Sequence, residues 1–308
     1  MLINSALPLA SGSAESFVYL GVLGALCGYP KNCRSSENST LNTHSSTLEI
    51  LLLQNTFLHI PGIAKTTERR LWKEGCNSWD DYLSEPNRWS LGSANKTTAQ
   101  RHLEKSREAL NQQEHQFFRR GLGMRQAWRA FPEFRNSCVY LDIETDGNGK
   151  NQQITMIGLY DGDTYRCLIQ GDNLENFRDI ISHYSMIVTF FGGSFDVPVL
   201  EQEFRGVRFD QIHIDLCPTL AQVGVRGGLK KIEKQLGIER SPETEGLTGR
   251  DAVFLWRKYQ QRRDEAALDR LIAYNKEDCV NLEKLAEFAY DKLRATTYPK
   301  SPQLSLQY

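Results

Sequence analysis

No stretch of the sequence approaches the roughly 18 to 20 consecutive apolar residues needed to span a bilayer. Residues 17–27 are apolar but too few, and the first basic residue is Lys31, so the basic start of a secretory leader is missing as well. Neither a membrane anchor nor a signal peptide is expected. A cysteine framework is also lacking. The seven cysteines, Cys27, Cys33, Cys76, Cys138, Cys167, Cys217 and Cys279, are odd in number and contain no C-x2-C pair. That argues against disulfides and zinc sites and predicts a reducing, cytoplasmic setting in which most thiols are small buried apolar groups. An excess of charge is absent too. The formal net charge is -1, so no global basic field announces nucleic acid.

What is present is unevenly distributed. The 308 residues favour two domains. Residues 1–48 are rich in Ser, Asn, Thr and Gly, and 34–46 show no hydrophobic period, the pattern of a disordered tail; a translation start further downstream is one reading of it. Residues 49–130 hold 13 Lys+Arg against 9 Asp+Glu, whereas 131–308 hold 22 against 27. A mildly basic segment thus precedes a mildly acidic one. The acidic half suits a site that gathers carboxylates for metal ions, and chance asymmetry would serve equally well.

Apolar residues recur at helical spacing in 66–72 and 99–110, and Ser78 is placed to cap a short helix through Leu83. Residues 101–129 carry many basic side chains and read as a connecting helix. From Ser137 the texture changes. Strands are expected over 138–144, 153–160, 164–169 and 186–191, with a short one near His213-Ile214, and Asp161-Gly162 reads as the turn between the second and third. Helices are expected over 174–184, 195–204, 228–236, 249–260 and 264–293. This is a mixed α/β pattern preceded by a small all-helical region. The expected division is a tail at 1–48, a helical region at 49–130, an α/β domain at 131–295 and a tail at 296–308.

Asp142 and Glu144 lie two apart on the first strand, so both point to one face. Two carboxylates on one face repel unless a cation sits between them, and a hard divalent ion is the usual solution. A surface strand with two solvated acids is the alternative. The apolar neighbours Val139, Tyr140, Leu141 and Ile143 make the strand a central one, where acids are less often decoration. Trp256 reads as core, Glu201, Glu203 and Glu277 as solvated helix acids, and His213 and Asp215 as architecture.

Leu141-Asp142-Ile143-Glu144-Thr145-Asp146-Gly147 resembles the first motif of DEDD-type exonucleases, which share the ribonuclease H-like fold. Residues 187–198, Ile-Val-Thr-Phe-Phe-Gly-Gly-Ser-Phe-Asp-Val-Pro, resemble the second, with Asp196 as its acid. Tyr274-Asn-Lys-Glu-Asp278 resembles the third in its tyrosine variant, and positions four apart share a helix face. The supporting segments His213-Ile-Asp-Leu216, Gly227-Gly-Leu-Lys-Lys-Ile-Glu233, Leu236-Gly-Ile238 and Leu255-Trp256 are most similar to the YprB-like branch. The resemblance covers about residues 137–290. It implies a ribonuclease H-like mixed sheet flanked by helices and 3′–5′ phosphodiester hydrolysis in DNA or RNA. It implies two Mg²⁺ or Mn²⁺ ions held by Asp142, Glu144, Asp196 and Asp278, with Tyr274 orienting the attacking water. Thr145 is expected to meet the nucleic acid. One departure stands out: Phe191 occupies a position where many relatives carry an Asn that holds the terminal nucleotide.

Leu58-His-Ile-Pro-Gly-Ile-Ala64, followed by Arg69-Arg70-Leu71-Trp72, resembles a helix–hairpin–helix element, whose backbone N–H groups and helix start receive a phosphate. Lys65, Arg69, Arg70 and Lys73 are the contacts it implies; a helical scaffold with a Pro-Gly turn is the other reading. Arg226, Lys230 and Lys231 flank Gly227-Gly228, where a phosphate contact and a plain turn are both open. The partner expected is nucleic acid with single-stranded ends, not a membrane. A nucleic-acid-binding module without activity on the same fold is the second functional reading.

Overall fold

The computed structural model describes residues 52–149 and 152–298, so the tail expected over 1–48 lies outside the described residues, as does most of that expected over 296–308. The helical segment comprises α1 (Lys65–Lys73), α2 (Trp79–Ser84), α3 (Lys96–Asn111) and α4 (His115–Leu122). Local chemistry sets the starts. The Ser78 hydroxyl accepts from the Asp81 N–H while the Asp81 carboxylate accepts from the Ser78 N–H, and Asn95 caps α3 through the Thr98 N–H. The connecting helix expected over 101–129 is broken instead. Gln113 and Gly123 take φ of 56° and 62°, and Met124–Ala130 winds as a 3-10 helix. The chain turns back at both points because Leu103, Phe118, Leu122 and Trp128 must reach one core. At its centre the Arg129 guanidinium meets Glu68, Thr56 and Gln126, which leaves this fully buried ion pair well partnered.

The α/β part follows as α5 (Phe131–Phe134), β1 (Cys138–Thr145), β2 (Ile154–Tyr160), β3 (Tyr165–Ile169), α6 (Phe177–Ile181), β4 (Met186–Thr189), α7 (Asp196–Glu203), β5 (Ile212–Asp215), α8 (Leu216–Ala221), α9 (Leu229–Gln235), α10 (Gly249–Arg262) and α11 (Glu265–Thr297). The strand expected to reach Phe191 stops at Thr189, because Phe191 turns left-handed at φ 65°. The helix expected over 174–184 begins as a 3-10 turn and ends early, at Ile181. The last helix runs through Thr297, beyond the expected tail boundary.

The sheet order is β3-β2-β1-β4-β5, with β1 antiparallel to β2 and parallel to β4. β1 is therefore the central strand. Its odd residues, Val139, Leu141 and Ile143, pack with Phe177, Leu200 and Phe204 on one face. On the other, Cys138 and Tyr140 pack with Leu285, Ala286 and Ala289 of α11 and share one core with the helical segment. Strand alternation thus delivers Asp142 and Glu144 to the α11 side. This is a ribonuclease H-like mixed sheet flanked by helices and preceded by a helical region.

α11 lies close to the sheet because Gly158 lets it. A Cβ at Gly158, which pairs with Asp142, would fall 1.8 Å from Asn275 Oδ1. Among the described residues all cysteines are free; Cys76, Cys138 and Cys279 are buried. No described helix is long and apolar enough to cross a membrane.

Candidate metal centre

Carboxylate oxygens of Asp142, Glu144 and Asp278 lie within 4.8 Å of one another. The first two come from the α11 face of β1, and Asp278 faces them from α11. All three donors are hard oxygens with no His or Cys among them, which matches a hard divalent cation. The electrostatics say the same. Burial, then the neighbouring Asp278 charge, holds both Asp142 and Glu144 well above the usual carboxylate range. Asp278 is also pushed up by burial, against the pull of Lys230 and Arg240. Three buried acids that raise one another's pKa form a site short of positive charge.

Asp196 stands beside this trio. It opens α7, is 4% exposed, and its Oδ1 accepts from the Ile143 N–H at 3.2 Å. Pairing between β1 and β4 ends at Tyr140 and Val188, so that amide has no partner on β4 and Asp196 takes it. Burial pushes the Asp196 carboxyl up to about 7, against its backbone hydrogen bonds. Its charge reaches Asp142 and Glu144, but its oxygens are not among the three sets that converge within 4.8 Å.

Tyr274 is buried one helical turn before Asp278. Its hydroxyl accepts from Lys230 Nζ, and the ammonium lies 4.3 Å from the ring centroid. Burial and then the charges of Asp278, Glu144 and Asp142 raise the phenol above its ordinary range, so it stays protonated. Lys230, read from sequence as a phosphate contact, is therefore part of the acid cluster, with Nζ 3.8 Å from Asp278 Oδ1.

Several participants escaped the sequence reading. Asn275 Nδ2 donates to Asp142 Oδ2 at 2.9 Å while its Oδ1 accepts from the Tyr165 hydroxyl at 2.8 Å. Arg240 reaches Asp278 Oδ1 from the loop after α9. Glu277, expected as a solvated acid, instead accepts from the Ser241 N–H at 2.9 Å and from the Thr244 hydroxyl. The loop after α9 has unsatisfied amides that need this acceptor, so the side chain is drawn in. Glu201 and Glu203 are exposed and Trp256 is buried.

Asp215 holds the turn before Asp196. Its carboxylate accepts from the N–H groups of Phe191, Gly193 and Cys217 at 2.8, 3.1 and 3.1 Å. His213 bonds Thr189 Oγ1 at 2.9 Å. Phe191 is the residue that this turn strains: its ring is 52% exposed and its backbone is left-handed, a conformation that Asn adopts more readily. Thr145 ends β1 at a register shift, with its hydroxyl 3.4 Å from Gln152. Lys65 and Arg69 are exposed on α1, which follows the Gly62 turn and has no side-chain cap. Lys65, Arg69 and Arg125 lie close enough for the two arginines to lower the Lys65 pKa, after burial as the first cause. Among the described residues only a three-residue 3-10 turn precedes this hairpin. Arg226 and Lys231 are exposed.

Residues 139–290, just under half of the chain, match the family model described as RNase_H superfamily. Comparison with curated proteins and with solved structures found no match. The matched span contains all four acids and Tyr274. A match to this superfamily together with the acidic cluster suggests nuclease-type, metal-dependent chemistry and a nucleic-acid substrate.

Proposed function

We propose that this protein is a metal-dependent 3′–5′ exonuclease that hydrolyses phosphodiester bonds in DNA or RNA from single-stranded ends. The observation that carries the reading is the convergence of Asp142, Glu144 and Asp278 on one hard-oxygen site within the superfamily match. Polarity follows from the motif resemblance. Asp142 is placed to bridge, with Glu144, Asp278 and Asp196 completing the donor set. Bound Mg²⁺ or Mn²⁺, two ions by the family resemblance, supplies charge neutralisation at the phosphate and a nucleophile usable at neutral pH.

The protein's own groups divide the remaining work. Tyr274, kept protonated, orients water as a hydrogen-bond donor rather than as a base; Lys230 donates to its oxygen and leaves its proton free to point elsewhere. Lys230 also offers a cation to a phosphate oxygen beside the cluster. Asn275 fixes the Asp142 carboxylate. Thr145 at the end of β1, and Lys65 and Arg69 at the start of α1, are proposed to hold the strand. Contacts at α1 position a backbone without reading sequence.

The test is end-labelled single-stranded DNA and RNA with Mg²⁺ or Mn²⁺, comparing the protein with Asp142→Ala. Stepwise shortening from the 3′ end by the parent, lost at least about 10²-fold in the variant, is expected, since the variant removes an oxygen donor from the charge-stabilising centre. Metal-independent or equal cleavage by both would remove the assignment. The strained, exposed Phe191 favours the second reading, a binding module without activity; retention of labelled strand with no shortening is its signature.

A further inference from the structure

The family resemblance implies two ions, but the surroundings of Asp278 are already cationic. Its Oδ1 accepts from Arg240 Nη2, and Lys230 Nζ lies 3.8 Å from the same oxygen. Arg240 is not a surface side chain swung inward. Its side chain is 4% exposed, and Nε and Nη2 fork onto Glu233 at 2.7 and 2.6 Å. Glu233 is itself buried and accepts from Asn281 Nδ2 at 2.9 Å. The guanidinium also sits 5.8 Å from the centroid of the Tyr274 ring. α9, the loop after it and α11 therefore build a frame that fixes this cation behind Asp278. A bidentate Arg–carboxylate fork sets position as well as charge.

In a two-ion centre the ions stand about 3.5–4 Å apart and share carboxylates. On the Asp278 side, a second divalent ion would have to approach the one oxygen that already carries a guanidinium and faces an ammonium. Like charges a few ångström apart in a site with little water repel strongly. We propose that Arg240, with Lys230, takes the place of the second ion, so that Asp142, Glu144 and the free oxygen of Asp278 hold a single divalent cation. This rests on the metal-dependent reading of the same site. It makes Arg240 a positioning residue: it commits one Asp278 oxygen and presents the other.

The test counts ions rather than turnover. Mn²⁺ is titrated into the full chain and free Mn²⁺ is followed by electron paramagnetic resonance. The titration is done with and without a saturating nucleoside 5′-monophosphate, because a phosphate ligand helps to draw a second ion into a two-ion centre. One Mn²⁺ per chain under both conditions, lost in Asp142→Asn, is expected. Glu233→Leu combined with Arg240→Met removes the buried pair together, and this double variant is expected to admit a second Mn²⁺ when the monophosphate is present. Two ions in the wild-type chain, both sensitive to Asp142→Asn, overturn the inference and leave the nuclease reading standing. No ion sensitive to Asp142→Asn overturns both. A count of one that persists in the folded double variant also sinks the role given to Arg240. If the double variant does not fold, the wild-type count still decides.

Discussion

His59 shows how much a single buried group commits the fold. Its Nε2 lies 2.8 Å from Ser106 Oγ, and that hydroxyl already donates to the His102 carbonyl at 2.7 Å, so Nε2 must be the donor. Nδ1 is buried with no hydrogen-bond partner. A proton there would be a charge with no acceptor, and burial lowers the His59 pKa to about 3. Between about 3 and the ordinary 6.5 the unfolded chain binds a proton that the folded chain refuses. Stability therefore rises with pH across that window and is complete above it, by up to about 1.4 kcal/mol per unit. Glu133 works the other way. Burial pushes it up to about 7, so its contribution is full below the ordinary 4.5 and is lost as pH climbs towards 7. Urea unfolding of the protein and of His59→Gln between pH 3 and 7 isolates the first effect: the difference between them should shrink as pH falls below 6.5. A pH-independent difference would contradict it. Residues with such constraints were not legible, because a lone His or Glu in a sequence carries no sign of what will surround it. Asp142, Glu144, Tyr274 and Asp278 were legible because spacings of two on a strand and four on a helix declare a shared face. Asn275 and Arg240 declare nothing of the kind; one is the next residue along a helix and the other sits in an aperiodic loop.

At the scale of elements, β1 and α11 make the centre, and Gly158 sets their separation. Gly158→Ala places a Cβ 1.8 Å from Asn275 Oδ1 and 2.6 Å from Cys279 Sγ, both on α11. The helix must move off the sheet, which should cost about 1–3 kcal/mol as overpacking does. The same shift pulls Asn275 from Asp142, so Mn²⁺ affinity should fall together with the urea midpoint. A variant destabilised at unchanged affinity would mean that the gap is not transmitted to the site. The strands and long helices could be read from period and capping residues, such as the Ser78 box. Their ends could not. β4 is cut short by the conformation of Phe191, and the run expected as one connecting helix is split at Gln113 and Gly123, because burying its aromatic residues outweighs helical continuity.

At the scale of the molecule, the helical segment and the sheet are not separable by exposure. Leu53, Phe57, Trp72, Phe118 and Trp128 share one core with Tyr140, Val188, Ile214 and Ala289. A fragment of residues 131–298 would present that apolar face to water, a surface that drives aggregation. It should be insoluble or lack a cooperative melt by circular dichroism, whereas a soluble fragment with a sharp transition would show an independent domain. The change of texture near Ser137 was visible in the sequence; the shared core was not, since apolar residues do not announce their partners.

The same core has a mechanical meaning. α11 contains neither proline nor glycine across its 33 residues. Asp278 lies in its first half, and just past its end Tyr298 packs its ring 5.1 Å from Trp72 of α1. At 1.5 Å per residue, the stretch between Asp278 and Tyr298 is about 30 Å of unhinged rod. A strand held at α1 and cut at Asp278 would be measured against a ruler of constant length.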